Sequence, residues 1–138
     1  MTATACALLS LVAWAILLTF ALVFTRGAAG AKGKALNSFS PAGTDLDGFG
    51  YRVTRAHGNT LENLAILASL LLYALATQQT QITDGLAGVL VGARVAQSVV
   101  HIASGSVPAV LLRATAFSVQ MVIGLYWLWQ FWQVGAVG

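Results

Sequence analysis

Twenty consecutive residues, Ala5 to Phe24, carry no charge. At about 1.5 Å per residue, a helix over that run is about 30 Å long, the thickness of a bilayer's hydrocarbon core. The run lacks the positive n-region of a secretory signal and exceeds the roughly 7–15 apolar residues of an h-region. The expectation is therefore a retained membrane helix. Three more apolar stretches follow, from about Arg55 to Thr77, Gly85 to Ala103 and Pro108 to Trp132. Of 138 residues, 58% are hydrophobic and only 8% charged, where a soluble domain is roughly 25% charged. The expected fold is an all-α integral membrane protein, with residues 1–138 forming a single domain of four transmembrane helices in an antiparallel bundle.

The net charge of +3 rests on seven basic and four acidic residues. That is too sparse for a nucleic-acid surface, and no nucleic-acid partner is expected; it reads as an orientation signal. Cys6 is the only cysteine, which excludes an intrachain disulfide, and it is expected to be a small buried residue. Two histidines with one distant acid make no convincing metal set, so no structural metal is expected.

The connections differ in character. Arg26 to Tyr51 is the long one, rich in Gly, Ala and Ser, and Gln78 to Asp84 is polar and short. Ser104 to Val107 is a tight turn, and Pro108 suits the first turn of the helix that follows. Five basic residues lie between Arg26 and Arg55, and Arg113 follows the third connection. The positive-inside rule puts the first loop and the third connection in the cytoplasm and both termini outside. For a bacterial chain, the membrane is the inner or plasma membrane. Tyr126, Trp127, Trp129, Phe131 and Trp132 are expected to form an interfacial belt at the outer end of the fourth helix. Gly88, Gly92 and Ala96, four apart, offer the third helix as a close-packing element.

Against this apolar background stand three polar sets: Arg55, Asn59 and Glu62; Arg94, Gln97 and His101; and Arg113 with Gln120. Spacings of three, four and seven put each set on one helix face. Ionisable groups in a bilayer are expensive and mark functional sites by default. Glu62 lies about 10 Å in from Arg55, and Arg94 about 15 Å from the end of its helix. A buried Glu62–Arg94 ion pair is expected, either fixing helix packing or serving a ligand. His57 reads as interfacial, His101 as a helix-ending or ligand-contacting group, and Tyr73 as packing.

The run Arg55-Ala-His-Gly-Asn-Thr-Leu-Glu-Asn63 resembles the second-helix signature of the MAPEG family, membrane-associated proteins of eicosanoid and glutathione metabolism. Val-Gly-Ala-Arg94-Val is similar to the family's third-helix segment, and Arg113 four residues before Phe117 is similar to the arginine that opens its fourth helix. The resemblance covers nearly the whole chain. It implies a homotrimer with glutathione, as co-substrate, bound between subunits near the cytoplasmic face. It also implies roles: Asn59 and Glu62 contact the tripeptide's backbone and amino group, Arg94 supports Glu62, Arg55 meets a carboxylate, and Arg113 stabilises the thiolate. Gln97 and His101 stand where many members carry histidine and tyrosine, and Gly58 where the synthase-like members carry arginine. Gln97 and His101 fall among the expected ligand-binding residues, with Arg113 the expected catalytic one. The activity implied is a glutathione-dependent transferase or peroxidase acting on lipophilic electrophiles that arrive from the lipid. The alternative is a non-catalytic membrane protein of this family that binds a lipid or small ligand.

Overall fold

The structure, a computed structural model, describes residues 1–137. Four helices account for most of it: α1 (Ala3–Ala31), α2 (Gly48–Ala76), α3 (Thr80–Ala103) and α4 (Val107–Val137). Each is long and apolar enough to cross a membrane, and the described residues contain no strand. Such helices satisfy their own backbone hydrogen bonds, which a lipid solvent demands. Successive helices run antiparallel. α1 packs on α2 and α3, α4 packs chiefly on α3 and only lightly on α2, and among the described residues α1 does not meet α4.

The helices extend beyond the apolar stretches. α2 begins at Gly48 rather than near Arg55, because Asp47 caps it by accepting a hydrogen bond from the Gly50 N–H at 2.8 Å. Its first two turns are polar and stand beyond the apolar core of the span. The second connection shrinks to Thr77, Gln78 and Gln79, and Gln78 takes a left-handed conformation (φ 57°) to make the reversal. Asp84 thus belongs to α3. Its Oδ1 accepts from the Thr4 N–H at 2.8 Å and from Thr4 Oγ at 2.6 Å. A carboxylate of one helix thereby satisfies an otherwise orphan N–H at the start of another.

The long connection, 32–47, folds onto the ends of α1 and α2. Lys34 Nζ meets Asp45 Oδ2 at 2.9 Å, and the Ser40 N–H donates to the same oxygen at 3.1 Å. Together they hold the Asp45 carboxyl below its ordinary pKa. Gly43 has φ +74°, and a Cβ there would come within 2.7 Å of Thr54 Cβ, so both backbone and contact require glycine.

The bundle divides along its length. At the end that carries the α2–α3 turn, Leu11, Leu67, Leu71, Ala74, Ala87, Leu90, Ile123 and Trp127 form an apolar core. Toward the other end the interior mixes buried apolar residues such as Val53 and Ala56 with buried polar ones, Arg94, Gln97, Ser98 and Gln120 among them. Three expectations change here. Gly88, Gly92 and Ala96 all face outward, because α3 buries the neighbouring stripe of Ala87, Leu90 and Arg94. Cys6 is exposed on the outer face of α1, while Ala7 and Leu11 turn inward. The aromatic cluster of α4 splits by helical periodicity: Trp127 and Phe131, four apart, are core, and Tyr126, Trp129 and Trp132 face outward. Tyr73 is about half exposed and meets the Phe131 ring edge-on at 4.9 Å.

Candidate functional site

A groove of about 560 Å³ opens where α2 begins, α3 ends and α4 begins. Arg52, Arg55 and Asn59 line it from α2, Gln97 and His101 from α3, and Arg113 and Phe117 from α4. The volume lies within the range of small-molecule sites. Three guanidinium groups converge on it, and no acidic side chain lines it. The chemistry on offer is anion recognition by planar, donor-rich groups.

The helices place these residues for local reasons. Arg52, Arg55 and Asn59 recur at three and four residues, so the polar first turns of α2 present them on one side. Arg52 Nε donates to the Ile102 carbonyl at 2.7 Å. That bond satisfies one of the last, otherwise unpaired carbonyls of α3 and ties the two helices at the groove's edge. Arg113 comes two turns into α4 and is half buried; its Nε is buried and makes no hydrogen bond among the described residues.

Behind the groove lies a buried polar chain. Arg94, 2% exposed, donates from Nη1 to Asn59 Oδ1 at 3.0 Å. Gln97 Nε2 donates to the same oxygen at 3.0 Å. Gln97 Oε1 accepts from Gln120 Nε2 at 2.8 Å, and Gln120 is fully buried. Thr60 and Ser98 meet at 3.3 Å beside this chain, and Ser98 Oγ donates to the Arg94 carbonyl at 3.1 Å.

The expected site residues are therefore divided. Arg55, Asn59, Gln97, His101 and Arg113 come together around one groove. Arg94 stands behind its wall. Glu62 is exposed and does not line the groove. The expected Glu62–Arg94 pair does not form: Arg94 takes Asn59, and the one ion pair among the described residues is Lys34–Asp45. The reason is angular. Glu62 is three residues past Asn59, about 60° around the helix and away from the face that α3 covers. His57 lies off the groove and meets Thr19 of α1, Nε2 to Oγ at 3.1 Å. Arg52 was not among the expected site residues. Its three-residue spacing before Arg55 was the available signal, hidden because α2 was expected to start only at Arg55.

No curated protein and no solved structure matches the chain. A family model does, over residues 4–132, which takes in all four helices apart from their extreme ends. The chain thus belongs to the MAPEG family, membrane proteins of glutathione and eicosanoid metabolism, and is a multi-pass integral membrane protein of that family.

Proposed function

We propose that the groove binds glutathione and that the protein conjugates or reduces lipophilic electrophiles with it. The observation that carries this reading is the convergence of Arg52, Arg55 and Arg113 with Asn59 on one groove of a MAPEG bundle. Glutathione offers two carboxylates, one ammonium and a thiol. The paired arginines of α2 suit a carboxylate, and the Asn59 amide suits a peptide carbonyl. Arg113, set apart on α4, would stabilise the thiolate, which is the nucleophile in both conjugation and reduction. Phe117 and Val110 supply an apolar side toward which a lipid-borne electrophile could approach.

The reading includes a homotrimer. Glu62 is exposed about 21 Å from the start of α2, at a depth where a carboxylate facing lipid is costly. A second copy covering that face would bring Glu62 beside a neighbour's groove, where it could meet the ligand's ammonium. Arg94 then acts through Asn59 rather than through Glu62. His101 lines the groove and tunes the ligand's fit.

The test is glutathione titration of the detergent-solubilised protein by calorimetry, with the thiolate followed by ultraviolet difference absorbance. Wild type should bind glutathione and show a thiolate signal. Arg113→Leu should abolish the signal and the conjugation of an apolar electrophile while the oligomer stays intact. Arg113→Lys should keep part of both, because the charge survives while the planar fork is lost. Wild-type protein that binds glutathione with no thiolate signal and no turnover would replace this reading with a non-catalytic ligand-binding one.

A further inference from the structure

The buried chain behind the groove has only one possible direction, and two independent ends set it. Arginine has no hydrogen-bond acceptor. The Asn59 atom 3.0 Å from Arg94 Nη1 must therefore be the amide oxygen. That oxygen can only accept, so the Gln97 atom 3.0 Å away must be the amide nitrogen. Gln97 then turns its oxygen toward Gln120, whose nearest atom at 2.8 Å must be nitrogen. The other end gives the same answer. The same Gln120 atom lies 2.8 Å from the Ala116 carbonyl, which accepts and cannot donate. A donor-only cation at one end and a backbone acceptor at the other agree on all three amides.

We infer that Arg94, Gln97 and Gln120 are positioning residues that lock the Asn59 amide with its NH2 toward the groove. Both donors on Asn59 Oδ1 come from α3, on the protein side, and Asn59 Nδ2 has no protein acceptor among the described residues. Apart from the Tyr51 hydroxyl, which can also accept, the groove wall on α2 thus presents donors: the Arg52 and Arg55 guanidiniums and this amide. At Asn59 it selects an oxygen acceptor, a carbonyl or carboxylate, and rejects a donor such as an ammonium. The desolvated Arg94 charge polarises the chain, and hydrogen bonds in a low-dielectric interior strengthen one another. Gln120 is fully buried and does not line the groove, so it acts on the ligand only through Gln97 and Asn59. The inference rests on the glutathione reading only for the identity of the ligand.

The lock is testable without a ligand. In full-length protein carrying isotope-labelled asparagine and glutamine, side-chain amide signals are assigned by mutation in lipid nanodiscs. Gln97 and Gln120 amide protons should be protected from exchange, and those of Asn59 should not. Gln120→Leu should shift the Asn59 signal although the two residues do not touch, and Gln120→Glu, which in its neutral form still donates, should restore it. An Asn59 signal unmoved by Gln120→Leu overturns the lock. The second arm is glutathione affinity. Asn59→Asp keeps an acceptor for Arg94 but presents a second oxygen to the groove. It should hold or raise the melting temperature while weakening binding about tenfold or more. Gln97→Leu should weaken binding by less, and Gln97→His, whose ring N–H can donate to Asn59, should recover it. Unchanged affinity in Asn59→Asp overturns the inference. If wild type takes up no glutathione, the proposed function fails, and the amide signals alone decide the lock.

Discussion

Arg94 is buried without a carboxylate, and that changes what its removal does. Asn59→Ala would leave a desolvated guanidinium facing nothing, which costs about 3–5 kcal/mol. Arg94→Met would remove the charge with its burial penalty and leave Asn59 Oδ1 still held by Gln97. Thermal unfolding in detergent should therefore show Asn59→Ala strongly destabilised and Arg94→Met nearly unchanged. The double variant should recover most of the loss. Glu62→Gln should add to Arg94→Met within about 0.5 kcal/mol, as residues that do not touch do; strong coupling would restore the direct pair. At this scale, the types and helices of the site residues were legible in the sequence, because polar residues three and four apart in an apolar chain leave few alternatives. Partner choice was not. Asn59 and Glu62 share a stripe on a linear reading, and only the packing of α3 against one edge of it separates them.

Among the elements, the connection 32–47 shows where sequence reading stopped. Four helices and their order follow from apolar length alone, but Gly48 and Gly50 are poor helix formers and masked the start of α2. Asp47 was the legible signal, a capping residue directly before the first turn. The loop's docking rests on Gly43. Gly43→Ala adds a left-handed alanine and a contact 2.7 Å from Thr54 Cβ, for a loss of about 1–3 kcal/mol locally. Limited proteolysis should then cut the loop faster while α3 and α4 stay intact. The Lys34–Asp45 pair adds a pH dependence. The folded Asp45 pKa is lowered from 3.8, so its contribution is present above that value and lost as pH falls through the lower, folded pKa. Cleavage at Lys34 in the intact protein should rise only below about pH 4, and Asp45→Asn should show the acid-state cleavage at neutral pH.

Over the whole molecule, charge and the candidate groove share one end. Arg26, Lys32, Lys34, Arg52 and Arg55 cluster where the long connection folds, and Arg113 enters from α4 at the same end. The opposite end holds Asp84 alone among charged side chains, bonded to Thr4. On the positive-inside rule we propose that the groove faces the cytoplasm, the compartment that would supply a reduced thiol. Cysteine labelling tests this directly. Cys6 is exposed, so the background must carry Cys6→Ala. Ser38, in the long connection, and Thr77, in the α2–α3 turn, are both exposed and lie at opposite ends. In intact cells an impermeant reagent should label Thr77→Cys at once and reach Ser38→Cys only after the membrane is opened. The reverse pattern would face the groove away from the cytoplasm, and the arginines would then need an anionic ligand from the other side. Labelling at both positions in intact cells would mean a dual orientation, and Lys32→Glu with Lys34→Glu should then shift the balance toward the reversed form, since removing positive charge from a short loop weakens its retention.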